Sequence, residues 1–281
     1  MGWHAGDFFT KRLPGWINLR WLGRERRFCQ GEQILNCFKA ELKANRPDCL
    51  IFSGDATGLG FESELTRAVN LLGSEPNAPP QLAVPGNHDY YTPAVEASGV
   101  FEKRFESWQK GEKVDEAIYP FAQRVGPIWL VAVNSCKGNR WFWDATGRVD
   151  DPQLERLRLL LRKLSSGPRI LVTHYPIARA NGEPERPDHC LLNLQELISV
   201  AREGGVCLWL HGHQHVAYLL QDPAFVPIPT ICAGSLTQTG KWSYYEYTVE
   251  QDRLRAQRRT YSVEGKCFQS GEAVELRLAC S

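Results

Sequence analysis

Five short strings, far apart in the chain, carry aspartate, asparagine and histidine side chains of the kinds that bind metal ions. They are WHAG at 3–6, SGDA at 53–56, GNHD at 86–89, THYP at 173–176 and GHQH at 212–215. Each stands beside glycine or at the end of an apolar run, where a strand gives way to a loop and a side chain can be aimed at a ligand. Together the strings predict a hydrolase site built around two metal ions.

The mixture of oxygen and nitrogen donors narrows the choice of metal. It suits Mn²⁺, Fe²⁺ or Fe³⁺, or Zn²⁺ better than Ca²⁺ or Mg²⁺ alone. None of the strings contains cysteine, which argues against a structural zinc site. The prediction is therefore two catalytic metal ions of undetermined identity.

Asp55 and Asn87 supply oxygen donors at the ends of two apolar runs. The two carboxylate oxygens of Asp55 could bridge two cations, and the alternative is a turn aspartate that only ends a strand. Asn87 offers a neutral carbonyl oxygen. His88 can carry a proton near neutral pH, and Asp89 could hold one nitrogen of that imidazole and so set its tautomer.

Five of the seven histidines stand where apolar runs end: His88, His174, His211, His213 and His215. A lone histidine such as His174 is more often structural than a ligand. Two imidazoles two residues apart in sequence can bind two neighbouring metal ions, so we interpret His213 and His215 as ligands. His211 is interpreted as a structural residue or a support for the ligands.

Bulk composition excludes several classes of function. The net charge of +1 over 281 residues gives no basic field for nucleic acid, so nucleic acid is an unlikely partner. No apolar stretch is long enough to span a bilayer, and no signal peptide precedes the first string. The nine cysteines include no Cys-x-x-Cys pair, which indicates reduced thiols and a cytoplasmic protein.

Alternating strands and helices predict one α/β domain over residues 1–281. The predicted strands are continuous apolar runs at 49–53, 81–84, 128–134, 169–173, 206–210 and 230–233, with a hairpin turning at 251–252 within 241–261. The predicted helices are 33–45, 62–72, 151–164 and 191–202, of which the third begins at an Asp-Pro pair, where an aspartate suits the cap. No linker long enough to divide domains is visible.

The ordered strings resemble the motifs of the calcineurin-like metallophosphoesterase family, over nearly the whole chain. A bacterial cyclic-nucleotide-phosphodiesterase-like member is the nearest comparison. The resemblance implies a two-sheet β-sandwich flanked by helices, in α-β-β-α layers. It also implies a phosphodiesterase that uses a hydroxide bridging two metals, and a small-molecule phosphate ester as substrate. Monoester and pyrophosphate substrates stay open.

The resemblance also assigns a role to individual side chains. Asp55 corresponds to the bridging ligand, and Asn87, His174 and His213 to the other ligands of one metal. His215 corresponds to a ligand of the second metal, which in the family is completed by an Asp-x-His pair at the end of the first strand. His88 corresponds to the group that protonates the leaving alkoxide, oriented here by Asp89.

The beginning of the sequence departs from the family pattern. His4 aligns with the histidine of Asp-x-His and is predicted to be a ligand, but Gly2 occupies the aspartate position and the preceding strand is missing. One hypothesis is a truncated start, with the strand encoded further upstream. The alternative is a non-catalytic or impaired scaffold that has lost an anionic ligand of the second metal.

The segment 10–27 is rich in basic residues and tryptophan. It is interpreted as a helix packed over the sheet near the site, with a peripheral contact to an anionic membrane as the alternative. Two loop-like stretches, 139–143 and 178–189, carry aromatic and arginine side chains that could line a pocket.

Overall fold

The computed structural model describes residues 5–73 and 79–278. Seven α-helices have these bounds: α1 Arg12–Arg20, α2 Gly31–Asn45, α3 Glu62–Gly73, α4 Pro93–Ser98, α5 Val100–Arg104, α6 Asp151–Lys163 and α7 Leu194–Glu203. Three short 3₁₀ turns, Ala5–Phe9, Arg24–Phe28 and Glu106–Trp108, complete the helical structure of this part of the chain.

Eleven strands are present in the same part of the chain. They are β1 Leu50–Phe52, β2 Gln81–Ala83, β3 Phe121–Val125, β4 Ile128–Ala132, β5 Arg169–Val172, β6 Val206–His211, β7 Ala217–Leu220, β8 Thr230–Ala233, β9 Ser243–Glu250, β10 Arg253–Ser262 and β11 Cys267–Arg277. All six predicted apolar strands and the predicted hairpin, β9 to β10, are confirmed. Strands β3, β7 and β11 were not predicted.

Six strands form the larger sheet, in the order β3-β4-β5-β6-β8-β7. Strands β4, β5, β6 and β8 are mutually parallel, and the two edge strands pair antiparallel. The parallel strands are apolar along their length because both faces of the sheet are covered. Their carboxyl ends consequently meet along one edge of the sheet.

A second β layer packs on one face of this sheet and has two separate parts, the parallel pair β2-β1 and the antiparallel sheet β9-β10-β11. A core that includes Leu130, Ile170, Leu210, Leu254 and Leu276 lies between the two β layers. Helices α6 and α7 cover the outer face of the six-stranded sheet, and α2 packs on the second layer. The predicted α-β-β-α sandwich is confirmed.

The predicted absence of a first strand corresponds to an interruption in the second layer. Within the described residues, β1 pairs only with β2, and β9 pairs only with β10. The two neighbouring edges are not joined to each other. The second β layer therefore consists of two separate pieces, whereas the six-stranded sheet is continuous.

Helix α6 shows how the local sequence fixes a boundary. Its cap is Asp150, whose carboxylate accepts a hydrogen bond from the Gln153 amide, and Pro152 follows in the first turn. The Asp-Pro pair predicts a helix that opens at Asp151 with an aspartate as its cap. The helix does begin at Asp151, and the aspartate that caps it is Asp150, the residue before the pair.

The basic, tryptophan-containing segment forms helix α1, as predicted, but its apolar contacts are with the loops that follow β1 and β2 and not with a sheet. Trp16 and Leu19 of this segment contact a small cluster centred on Leu59, while Trp21 and Leu22 are exposed. No helix in the described part of the chain has the length and apolarity needed to cross a bilayer. Peripheral membrane contact through residues 10–27 stays a prediction.

Leu157 of α6 is fully buried in the core beneath the six-stranded sheet, whereas Leu159 on the same helix is 42% exposed. We expect Leu157→Ala to lower the free energy of unfolding by about 2–5 kcal/mol, because it removes apolar contacts and leaves a cavity. Urea unfolding measures the change. Leu159→Ala is the matched control and should cost less than about 1 kcal/mol; equal losses would contradict this packing.

Candidate metal centre

Four loops that follow parallel strands bring the predicted ligands together. Asp55 lies just beyond β1, Asn87 beyond β2, His174 beyond β5, and His213 and His215 beyond β6. Because these strand ends share one edge of the sandwich, residues up to 160 positions apart in sequence meet there. Of the six predicted metal ligands, only His4 lies outside the described residues.

Asn87, His174, His213 and Asp55 form a compact group of donors. Asn87 Oδ1 lies 3.0 Å from His174 Nε2 and 3.1 Å from His213 Nδ1, and the two imidazole nitrogens are 3.3 Å apart. Asp55 Oδ1 lies 3.6 Å from His174 Nε2. Ligands held about 2.1 Å from one metal ion are about 3.0–3.4 Å from one another, so this spacing fits a shared cation.

The tautomer of His174 supports the same conclusion. Its Nδ1 lies 2.7 Å from the carbonyl oxygen of Ser53, which can only accept, so Nδ1 carries the proton. The lone pair of Nε2 then faces the Asn87 carbonyl oxygen, another acceptor. Two acceptors in contact repel each other, and a cation between them would remove that repulsion. A second nitrogen fixed by a backbone carbonyl is typical of metal-binding histidines.

The asparagine is essential to this ligand set. Within residues 5–73 and 79–278, histidine, cysteine, aspartate and glutamate side chains alone form no group of three or more arranged to hold a metal ion. The amide oxygen of Asn87 touches both imidazoles and completes the compact group. The donors present therefore fit a metal ion with mixed oxygen and nitrogen ligands.

A second cation position has fewer donors in the described residues. Asp55 Oδ2 faces His215 Nε2 at 4.0 Å, which leaves room for an ion between them. The aspartate can therefore serve both positions, one oxygen to each. Asp7, the nearest carboxylate to the first motif, is paired with Arg12 at 2.6 Å and does not join the site.

Close backbone packing holds Asp55 in place. A Cβ atom on Gly86 would lie 2.2 Å from Asp55 Oδ1 and 2.3 Å from its backbone nitrogen. A Cβ on Gly54, whose φ is +99°, would meet the Gly86 nitrogen at 2.5 Å and His174 Nδ1 at 2.7 Å. Glycine is required at both positions, because the two loops touch through their backbones.

Three predicted ligands have a left-handed backbone conformation that side chains rarely adopt. The φ angles are +66° for Asp55, +66° for His213 and +55° for His215. Such conformations cost free energy and persist only where the surroundings enforce them. Their coincidence at one site is the pattern expected when backbone strain is maintained for function.

Burial and neighbouring charge set the ionisation of these ligands. Burial lowers the pKa of His213 well below its ordinary value, and it also lowers the pKa of His215. Burial alone would raise the pKa of Asp55, but the nearby histidine charges bring it below its usual range. Neutral imidazoles and an ionised carboxylate are the forms that bind a metal.

His88 lies at the edge of the site, but the prediction that Asp89 orients it is wrong. The Nδ1 of His88 lies 2.8 Å from the carbonyl oxygen of Gly58 and therefore donates to it. The carboxylate of Asp89 instead accepts backbone N–H groups of Asp55, Thr57 and Gly86 at 2.8–3.0 Å. Asp89 is fully buried and ties together the loops that carry the ligands.

Arg24 is a site residue that the sequence analysis did not single out. Its Nη2 lies 2.9 Å from His88 Nε2, and because Nδ1 of that ring carries the proton, the guanidinium donates to Nε2. Burial, opposed by Asp55 and reinforced by Arg24, lowers the pKa of His88 to about 4. The permanent positive charge at this edge of the site therefore belongs to Arg24. Its place in the site is visible only from its contact with His88, 64 residues away in sequence.

His211 does not join the ligands. Its Nδ1 lies 2.9 Å from the carbonyl oxygen of Gly212, and burial lowers its pKa to about 4. Its Nε2 is buried with no hydrogen-bond partner among the described residues. The interpretation of His211 as structural or supporting agrees with this placement.

Comparison with known proteins defines the class to which this site belongs. The model of the calcineurin-like phosphoesterase family matches residues 3–217. The chain belongs to that family, and metal-dependent hydrolysis of phosphoesters is its general chemistry. A search of curated protein sequences found no match.

Solved structures share the fold at low sequence identity. A dimetal phosphatase from Danio rerio superposes with a TM-score of 0.65 at 15% identity, over 89% of this chain and 90% of that one. PhoD superposes with a TM-score of 0.59 at 10% sequence identity, over 86% of this chain and 66% of PhoD. GAP50, the anchor in the inner membrane complex of Plasmodium, superposes with a TM-score of 0.52 at 15% sequence identity. The match covers 88% of this chain and 84% of GAP50.

We expect Gly86→Ala to weaken metal binding by about 10–100-fold, because the added methyl group displaces the Asp55 carboxylate. Calorimetric titration with Mn²⁺ measures the loss, and circular dichroism checks that the fold persists. Gly6→Ala is the matched control, since no atom lies within 4 Å of its added Cβ. Unchanged Mn²⁺ affinity in folded Gly86→Ala would contradict the role of this backbone contact.

Proposed function

We propose that this protein is a phosphodiesterase that hydrolyses a small-molecule phosphate diester with the help of two metal ions. The observation that carries the proposal is the convergence of Asn87, His174 and His213 at 3.0–3.3 Å from one another, with Asp55 Oδ1 3.6 Å from His174 and Asp55 Oδ2 facing His215. When bound, the metal pair would activate water and neutralise phosphate charge.

The protein side chains would position both metals and substrate. Asn87, His174 and His213 would hold one ion, and Asp55 would contribute to both positions. His215 belongs to the second position, where we propose His4 as a further ligand. With fewer donors there, we expect the second ion to bind more weakly.

Charge at the edge of the site supports a diester. Arg24 is the guanidinium that contacts His88 Nε2, and guanidinium groups bind phosphate oxygens in a planar, paired geometry. A diester carries one negative charge, which one arginine beside the metal positions can balance. A phosphate oxygen bound to Arg24 would lie beside His88, whose Nε2 would have to release the Arg24 N–H and take up a proton before it could protonate the leaving oxygen.

A second candidate function is a metal-binding scaffold without catalytic activity. It is favoured by one observation, that Asp55 and His215 are the donors to the second position among the described residues. GAP50, which shares the fold, is described as an anchor. In this reading the chain binds one metal ion and turns over no substrate.

Metal analysis and substrate comparison separate the two candidates. In excess Mn²⁺ we expect two metal ions per chain and a kcat/KM at least tenfold higher on bis(4-nitrophenyl) phosphate than on 4-nitrophenyl phosphate. One ion or none, with no turnover, would favour the scaffold. Turnover of the monoester at an equal or greater kcat/KM would contradict the diester assignment while leaving hydrolysis in place.

The role of His88 is tested by the choice of leaving group. We expect His88→Ala to lose about 10²–10⁴-fold in kcat on an alkyl diester, whose alkoxide needs a proton, and much less on a nitrophenyl diester. Arg24→Lys is the comparison variant, because it keeps the charge but loses the paired geometry. It should raise KM equally for both substrates. Equal kcat losses on both substrates in His88→Ala would contradict proton donation.

A further inference from the structure

The loop that follows β4 carries three consecutive aromatic side chains at its tip. Trp141, Phe142 and Trp143 are 52%, 66% and 54% exposed, although side chains of this kind are mostly buried in folded proteins. All three lie in the short segment 140–143, which we call the aromatic tip. Such a contiguous exposed aromatic group is typical of a surface that contacts another molecule.

The side chains of the aromatic tip pack on one another. The rings of Trp141 and Trp143 are stacked, with their centroids 5.2 Å apart and their planes 6° from parallel. The ring of Phe142 meets that of Trp143 edge-on at 4.8 Å, and the Arg140 guanidinium lies 5.4 Å from the centroid of the Trp141 ring. The tip is therefore a preformed cluster of rings with a cation beside it.

Hydrogen bonds at the base of the loop fix the position of the tip. The buried Asn139 side chain donates to the carbonyl oxygen of Thr146 at 2.9 Å. The Asp144 carboxylate accepts the Thr146 amide at 2.9 Å, and the Asp144 amide donates to the Trp141 carbonyl oxygen. The folded loop consequently presents the three rings to solvent as part of its structure.

The base of this loop also contacts the metal centre. Tyr175, which follows the ligand His174, donates its hydroxyl proton to the carbonyl oxygen of Ala145. The centroid of its ring lies 4.6 Å from that of His213. None of the described residues that line the cavity beside the metal centre comes from the aromatic tip. The tip thus lies near the site but outside its cavity, which favours a surface contact over stacking on a bound substrate.

Basic side chains outnumber acidic ones within residues 137–146 and among the side chains bonded to that loop. Arg140 is exposed and forms no ion pair with another residue of the described part of the chain. Lys137 and Lys11 each lie within 4 Å of an oxygen of Asp144. The acids are Asp144 and Glu96, whose carboxylates accept backbone amides of the loop. The one charge free to pair outside the loop is therefore the positive charge of Arg140.

We propose that the aromatic tip docks this protein on the surface of an anionic phospholipid bilayer. Indole rings are favoured at the interface between lipid and water, and a guanidinium such as that of Arg140 pairs with phosphate oxygens of lipid headgroups. Docking would hold the metal centre beside the headgroup layer, because Tyr175 joins the base of the loop to the ligand loops.

The size of the aromatic tip favours a bilayer over a protein partner or a second copy. Its three rings expose roughly 250–450 Å², since an aromatic side chain buries about 150–250 Å² when it is fully covered. A stable protein interface buries about 800 Å² on each partner. Reversible binding to a bilayer needs only a few inserted apolar groups together with attraction to anionic lipid.

A second pair of exposed aromatic side chains lies next to the same loop. Phe8 and Phe9, in the 3₁₀ turn Ala5–Phe9, are 54% and 93% exposed. Lys11 follows two residues later, and its Nζ lies 3.5 Å from the carbonyl oxygen of Asp144 at the base of the loop. The exposed aromatic surface therefore extends beyond the tip.

Sedimentation of the full chain with vesicles tests the proposal. In EDTA we expect about half of the protein to bind at about 1 mM lipid in phosphatidylcholine vesicles that contain phosphatidylglycerol. The triple variant Trp141→Ala, Phe142→Ala, Trp143→Ala should bind at least tenfold more weakly, because binding scales with the apolar area inserted. No binding by the unmodified chain, or equal binding by a folded triple variant, would overturn the proposal.

Trp21 and Leu22 provide the matched control. They are 80% and 76% exposed and lie on a different segment, so the double variant Trp21→Ala, Leu22→Ala removes exposed apolar area without touching the tip. We expect its vesicle binding to stay within about twofold of the unmodified chain. A loss as large as that of the triple variant would place the contact on residues 10–27 and overturn the proposal.

Arg140→Gln tests the attraction to anionic lipid without removing a ring. We expect it to bind about fivefold more weakly to vesicles with phosphatidylglycerol and equally well to vesicles of pure phosphatidylcholine. An unchanged affinity for both kinds of vesicle would overturn the assignment of an anionic surface. This variant also serves if the triple variant does not fold, which circular dichroism shows.

Two further readouts separate the bilayer from other ligands of the tip. Phosphatidylcholine with brominated acyl chains should quench tryptophan fluorescence of the unmodified chain, and absence of quenching would overturn insertion of the rings. A triple variant that keeps vesicle binding but has a raised KM for bis(4-nitrophenyl) phosphate would assign the tip to substrate and overturn the proposal. The vesicle measurements need neither metal nor turnover, so they stand or fall independently of the proposed phosphodiesterase activity.

Discussion

Direct backbone contact between the loops after β1 and β2 is the constraint on which the metal centre depends. The contact exists because Gly54 and Gly86 have no side chains, and it brings the Asp55 carboxylate within reach of histidines from β5 and β6. Asp89 reinforces it by accepting three N–H groups of these loops. Burial, with the charge of Asp55, raises the pKa of Asp89 to about 8, and these hydrogen bonds offset only part of that desolvation cost. The sandwich brings the ends of the strands together, and Gly54 and Gly86 set the distance between the loops that follow β1 and β2.

Much of this arrangement could be predicted from short-range sequence signals. Buried parallel strands are continuous apolar runs, and ligands placed directly after them must converge wherever those strands share a sheet. The unpredicted strands have weaker signals. β11 is mostly polar and contains Gly271, because one of its faces is exposed, and β3 alternates over only five residues.

Other features depended on contacts between segments distant in sequence. The neighbouring positions of His88 and Asp89 suggested that the carboxylate holds the imidazole, yet adjacent side chains in a turn point different ways. Gly58, thirty residues upstream, holds the ring instead. Arg24 reaches it from 64 residues away. No local pattern could have given either contact, since the first depends on how the loops after β1 and β2 meet and the second on where Arg24 lies beside them.

The left-handed backbone at Asp55, His213 and His215 has a consequence for how this protein could change over evolutionary time. Glycine would adopt those torsion angles with little strain, so replacing either histidine by glycine would relieve strain and remove a ligand in the same step. If selection for metal binding were lost, mutations to glycine at these positions would therefore give descendants that are more stable to unfolding but inactive. All three positions of this chain carry a ligand-type side chain despite that strain.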